Sequence, residues 1–276
     1  MNAHGGEIVV GYDGSGDSEL ALDWADELAA EQGRALRVLI SEVDPTQVLE
    51  ATSDWHAAKM GQLEADIRDR LAGARTRDAT LEMVGVPPSQ ALIDASVGAA
   101  IVVVGARGHS LLSGVVLGSV SQHVTRHASC PVVVARAPYH PDANRIVVGV
   151  DGSTGSRKAL EFAFDHASRC GAPITAIHAW RNAGRGYASE GLIEEIRAAE
   201  RVLAEALAGF GDLYPDVKVA SEAIPVPPQR VLADASQAAS LVVVGSRGLG
   251  AFGGLLLGSV SQSVLHHAQC PVAVVR

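Results

Sequence analysis

Short runs of apolar residues alternate along the chain with longer stretches of mixed polarity. Ile8–Tyr12, Ile101–Val104 and Val132–Ala135 are apolar and rich in β-branched residues, the pattern of strands buried on both faces. Leu36–Val43 predicts a second strand, and Thr80–Val84 a weaker third. Between them lie segments of helical period. Ser18–Gln32 places Ala21, Ala25, Leu28 and Ala29 on one face, with Gly33 as its stop. Asp54–Leu71 spaces Leu63, Ile67 and Leu71 four apart, and shorter helices are predicted over Gln90–Val97 and Ser119–His127.

The same order returns in the second half. Strands are predicted at Ile146–Val150, Ile174–Ala179, Val217–Ala223, Leu241–Val244 and Val272–Val275. Helices are predicted at Arg157–Cys170, Gly191–Phe210, Arg230–Ser236 and from Ser259. Asp13 recurs at Asp151, 138 residues on; Gly105 recurs at Gly245 and Cys130 at Cys270, each 140 residues on. A period of that length is a duplicated domain rather than a solenoid repeat. The expected division is 1–137 and 145–276, joined by the Pro-containing linker 138–144.

Strands alternating with helices predict an α/β fold, an open parallel sheet with helices on both faces and right-handed crossovers. Ligands of such sheets sit beyond the carboxyl ends of the strands, where strand order reverses. Two motifs fall at such ends. One is DGSGDS (residues 13–18), matched by DGSTGS (residues 151–156). The other is a glycine loop with Gly105, Gly108 and Gly118-Ser119, matched by Gly245, Gly248 and Gly258-Ser259; nine residues separate the second and third glycines in both copies. The strand-ending glycines allow a sharp turn and close approach of a ligand to backbone. Ser119 and Ser259 are candidate N-caps. The first amides of a helix have no internal partners, and with the helix dipole they suit a phosphate. Ser121 and Ser261 offer a hydroxyl each. The plainer alternative is a strand–loop–helix connection that uses Gly for flexibility.

Composition narrows the class. Apolar residues make up 47% of the 276, so the chain is globular, and aromatics only 4%, so its core is built from Ala, Val and Leu. The net charge of −9 weighs against nonspecific nucleic acid or an anionic membrane as partner. Three cysteines argue for a reducing compartment, and MNAHGGEIVV has neither a basic start nor a signal-peptide core, so a cytoplasmic location is expected.

Taken together, the residues resemble the ATP-binding branch of the universal stress protein family, once per half. The resemblance rests on Gly-x-x-Gly, nine residues, Gly-Ser; on VGxDGS at the first strand; and on CPVxVxR at the end of each half. It implies two tandem Rossmann-like domains of the adenine nucleotide alpha hydrolase kind, each an open five-stranded parallel sheet of order 3-2-1-4-5. It implies that Val104, Gly105, Arg107, Gly108, Gly118, Ser119, Val120 and Ser121 line the first phosphate path. Val244, Gly245, Arg247, Gly248, Gly258, Ser259, Val260 and Ser261 would line the second. Adenine is expected near Gly11 and Val43 in the first half, and near Gly149 and Ala179 in the second. The stretch Ser41–Val43 departs from the pattern at Ile177–Trp180. The implied function is ATP-binding stress regulation with one nucleotide per domain and at most slow hydrolysis; the alternative is a slow nucleotide hydrolase or adenylyl-transfer enzyme. An unidentified protein partner is expected. So is a homodimer, with domains pairing through the last strands, whose apolar edges need cover.

Several side chains carry two readings. Asp13 and Asp151 fit ribose hydroxyls or a phosphate-bound Mg²⁺, the plainer alternative being an Asx-turn that shapes the strand-to-helix connection. Arg107 and Arg247 are phosphate contacts or solvated surface. His127 with Cys130, and His267 with Cys270, show HxxC spacing, but two ligands do not close a zinc sphere. DGSGDS is similar to the pyrophosphatase loop SGGxDS. DGSTGS lacks the second Asp, so that likeness is set aside.

Overall fold

The computed structural model describes residues 6–43, 53–108, 117–138, 140–181, 190–250 and 256–276. It divides into two compact units, Met1–Arg136 and Ala137–Arg276.

In the first unit the elements are β1 (Ile8–Gly11), α1 (Gly16–Gln32), β2 (Leu36–Ser41), α2 (Ser53–Ala72) and β3 (Ala79–Val84). They continue with α3 (Pro88–Ala95), β4 (Ile101–Gly105), α4 (Ser119–His127) and β5 (Val132–Ala135). The sheet order is β3-β2-β1-β4-β5, with every pair parallel. Strand order thus reverses between β1 and β4, which carry the two motifs.

The second unit has β6 (Ile146–Gly149), α5 (Thr154–Cys170), β7 (Ile174–Ala179), α6 (Glu190–Leu207), α7 (Phe210–Leu213) and β8 (Val219–Ile224). It ends with α8 (Pro228–Ala235), β9 (Leu241–Gly245), α9 (Ser259–His267) and β10 (Val272–Val275). Its order is β8-β7-β6-β9-β10, again all parallel.

Two glycine contacts fix the layers. Leu92 of α3 lies against Gly11, its Cδ1 2.9 Å from where a Cβ would stand, while the backbone of Asp17 in α1 lies against Gly105. Gly11 continues the register of β1 beside Val104, one residue before Gly105, so the two glycines face opposite sides of the sheet. Helices α1 and α3 therefore cover opposite faces. Between them Ile8, Val9, Val10, Val102 and Val103 are buried. In the second unit Leu232 and the backbone of Gly155 play the same parts against Gly149 and Gly245.

Helix ends follow local chemistry. Ser15 and Ser153 cap α1 and α5, accepting from Ser18 N–H at 3.3 Å and Ser156 N–H at 3.2 Å. Gly33 and Gly171 end them in the left-handed conformation, at φ 60° and 67°. Helix α3 begins at Pro88, two residues before its apolar period, because Pro in a first turn gives up an amide that has no partner there. The segment read as one helix to Phe210 breaks at Gly209, φ 83°, and α7 starts anew. Phe210 then stacks on Phe164 with ring centroids 4.4 Å apart, an aromatic supplement to an aliphatic core.

Candidate functional site

In the first unit a cavity of about 360 Å³ opens at the carboxyl ends of β1, β2 and β4. Every predicted residue of this half lines it: Gly11, Asp13, Val43, Val104, Gly105, Arg107, Gly108, Gly118, Ser119, Val120 and Ser121. They come from four separate stretches, which the reversal of strand order gathers at one place. The sequence reading missed the apolar wall from α2 and α3, where Met60, Leu63 and Leu92 face the cavity, and the cation Lys59 beside them. The helical period of α2 marked Leu63 as core, but nothing local to it showed that the core surface is also a cavity wall.

The start of α4 carries the chemistry. Its N-cap is Gly118, not Ser119, and no side chain caps it. The first helical bond is Gln122 N–H to Gly118 O at 2.9 Å. The amides of Ser119, Val120 and Ser121 have no acceptor among the described residues. A side-chain cap would consume one of these donors; glycine leaves all three, together with the positive end of the helix dipole. Gly118 is itself tied back to the loop, donating to Ala106 O at 2.7 Å. The second unit repeats this arrangement. Gly258 caps α9 with no side-chain bond and donates to Ser246 O at 2.8 Å. The amides of Ser259, Val260 and Ser261 have no acceptor among the described residues.

The serines one turn in donate their hydroxyl protons to the protein itself. Ser121 Oγ–H donates to Gly105 O at 2.6 Å, and Ser261 Oγ–H to Gly245 O at 2.6 Å. Each buried hydroxyl fastens its helix to the end of the neighbouring strand, so the row of amides stands at a set distance from the sheet.

Gly105, Gly108, Gly245 and Gly248 are needed for space rather than for unusual backbone angles. Among the described residues the positive-φ glycines are Gly14, Gly33, Gly152, Gly171 and Gly209. Gly14 (φ 80°) and Gly152 (φ 79°) turn the chain just after the aspartates. At Gly108 a Cβ would stand 2.6 Å from Asp13 Oδ2, and at Gly248 it would fall on Asp151 Oδ2. The glycine loop is thus closed down onto the carboxylate of the first motif.

The Asx-turn reading of the aspartates is visible in their hydrogen bonds. Asp13 Oδ1 accepts from Ser15 N–H at 3.0 Å, and Asp151 Oδ1 from Ser153 N–H at 3.0 Å, which is the Asx-turn. Asp151 Oδ2 also accepts from Leu249 N–H at 3.1 Å. Burial works to raise the pKa of Asp151. Hydrogen bonds from Ser153, Leu249 and Ser156 outweigh it and hold the carboxyl below its ordinary value.

At the far end of the site the halves differ. Ser41 pairs with Val84 and Ala179 with Ile224, at equivalent places in β3 and β8, so Ala179 matches Ser41 rather than Val43. Ser41 Oγ–H donates to Val86 O at 2.7 Å, and Val43 N–H donates back to Ser41 Oγ at 3.2 Å. In the second half this corner carries His178, whose Nδ1 lies 2.7 Å from Val150 O, and Trp180, whose Nε1–H donates to Glu195 at 3.1 Å.

The HxxC pairs are bonded to nearby backbone carbonyls. His127 Nδ1 lies 2.9 Å from His123 O and Cys130 Sγ 3.4 Å from Pro131 O. Their second-unit counterparts bond likewise to Ser263 O and Pro271 O. No group of three or more His, Cys, Asp or Glu able to hold a metal occurs among the described residues. Nor is any described helix long and apolar enough to cross a membrane.

A doubly wound α/β unit with an uncapped helix start at its switch point belongs to the broad class of Rossmann-like folds. Within that class, the model of the universal stress protein family matches twice, over residues 6–136 and 143–276. A universal stress protein of Mycobacterium tuberculosis is 36% identical over 287 residues, spanning 98% of this chain and 96% of the relative. One from Mycolicibacterium smegmatis has the same identity and coverage. The crystal structure of a universal stress protein from Archaeoglobus fulgidus superposes with a TM-score of 0.73 at 23% identity, covering 98% of both chains. The chain is a tandem member of the universal stress protein family.

Proposed function

We propose that each unit binds an adenine nucleotide, ATP foremost, and that the protein is a stress-response regulator whose state follows nucleotide supply. One observation carries this reading: three amides at the start of α4 with no acceptor among the described residues lie at a cavity that Asp13 also lines. Amides and a helix dipole suit phosphate oxygens, the apolar wall of α2 and α3 suits a base, and the volume lies within the roughly 300–1,000 Å³ of small-molecule sites. The second unit has the same uncapped start at α9. Asp13 and Asp151 would hold a Mg²⁺ that accompanies the phosphates and offsets their charge.

The role is binding with at most slow turnover. Asp151 is the carboxylate that follows β6 at the switch point. With its pKa lowered and its oxygens already accepting from two backbone amides, it is a poor proton acceptor for an attacking water. A cytoplasmic homodimer that reports to a partner protein completes the proposal.

The experiment is to denature purified protein, identify released nucleotide, and titrate stripped protein with ATP in a calorimeter. Two bound nucleotides per chain are expected. Gly108→Val and Gly248→Val, which crowd Asp13 and Asp151, should each remove one site. Absence of adenine nucleotide together with no heat of ATP binding would end the proposal.

A further inference from the structure

The two halves treat their loop arginine differently. In the first unit Asp17 Oδ2 accepts from Arg107 N–H at 2.9 Å and from Arg107 Nε–H at 3.2 Å. The carboxylate of Asp17 is largely covered and the guanidinium largely open to solvent. Asp17 stands in the first turn of α1, so a negative charge lies under the loop that lines the phosphate path. In the second unit the same position is Gly155. A Cβ there would fall on the carbonyl oxygen of Arg247, so the loop has settled onto the space that a side chain would take. Among the described residues no hydrogen bond or ion pair engages the Arg247 guanidinium.

The geometry points to Asp17 as a specificity-determining residue that makes the two nucleotide sites unequal. The first unit favours the less charged nucleotide, a nucleoside monophosphate, and the second favours the polyphosphate. This rests on the nucleotide-binding reading above. Asp17 does not line the cavity itself but holds Arg107, which does, so a ligand phosphate must draw the guanidinium away from Asp17, and the loss weighs more on a ligand with more phosphate charge for Arg107 to offset. In the second unit no described residue engages the Arg247 guanidinium, and Gly155 stands where Asp17 would be. Lys59 lines the far wall of the first cavity and is unchanged in the variants below, so it cancels in their comparison.

The test is calorimetric titration of the full chain with ATP and with AMP, for the native protein, Asp17→Asn, Arg107→Ala and the double variant. Asn keeps the shape and an acceptor for the Arg107 amide while removing the charge. A thermal melt checks folding, and the Arg107→Ala pair supplies the same comparison by a second route. Asp17→Asn should tighten ATP at one class of site by about threefold to fivefold, the range of a partly exposed ion pair, and leave AMP within about twofold. In the Arg107→Ala background that gain should shrink to less than half. An unchanged ATP-to-AMP ratio, or an equal gain without Arg107, overturns the inference while leaving nucleotide binding intact. Failure of either nucleotide to bind overturns both.

Discussion

Asp151 and Leu249, 98 positions apart, are joined by a 3.1 Å hydrogen bond from the Leu249 amide to the Asp151 carboxylate. That bond ties the motif after β6 to the glycine loop after β9; burial works to raise the pKa of Asp151, and the bonds from Ser153, with those from Leu249 and Ser156, outweigh it and lower it. The sign follows from linkage. A carboxyl whose folded pKa is depressed adds stability above its ordinary pKa, near 3.8, and that contribution is lost as pH falls through the folded value. Asp151→Ala should therefore cost about 1–2 kcal/mol at pH 7, the scale of hydrogen bonds to a charged group. The cost should narrow below about pH 4. Urea unfolding of both proteins at pH 7, 5 and 3.5 measures it. A difference that stays constant across this range would show that the carboxylate does not brace the loop.

Ser121 separates stability from binding. Its hydroxyl proton goes to Gly105 O at 2.6 Å in a buried setting, so Ser121→Ala should lower stability by about 1–2 kcal/mol. The α4 amides remain, so ATP affinity in that unit should move by no more than about threefold. Denaturant midpoints beside calorimetric affinities distinguish the cases. A large loss of affinity with no change in midpoint would return the hydroxyl to the ligand.

Gly105 and Gly118 have different reasons to be glycine. A Cβ on Gly105 would stand 2.6 Å from the backbone of Asp17, whereas on Gly118 the nearest atom is 3.4 Å away. Gly105→Ala forces α1 off the sheet and should cost about 1–3 kcal/mol, the range for overpacking. Gly118→Ala, at φ −69°, should change stability by less than about 0.5 kcal/mol. Equal midpoints for the two variants would contradict the contact that sets the α1 layer.

What the linear sequence determined is the part of this protein that depends on local pattern and on repetition. Val-rich runs such as Ile101–Val104 can only be strands covered on both faces, and Ser119–His127 emerges as the α4 predicted for it. Two copies of each motif at near-constant spacing revealed a duplicated chain, and the doubly wound rule then brought Asp13 and Gly108 to one crevice. Tertiary structure decided what each of these residues is for. Whether Gly105 serves a turn or a close approach depends on where α1 lies, and no local pattern states that. Ser121 was readable as a hydroxyl, but only the end of β4 shows where its proton goes. Asp17 belonged to a motif half set aside, and Arg107 to a loop ninety residues later. Their pairing, and its replacement by Gly155 in the second half, exists only once β1 and β4 are neighbours. Periodicity is written into consecutive residues because burial selects it one turn at a time. Partnership across a sheet depends on three-dimensional distance, which the order of residues along the chain does not encode.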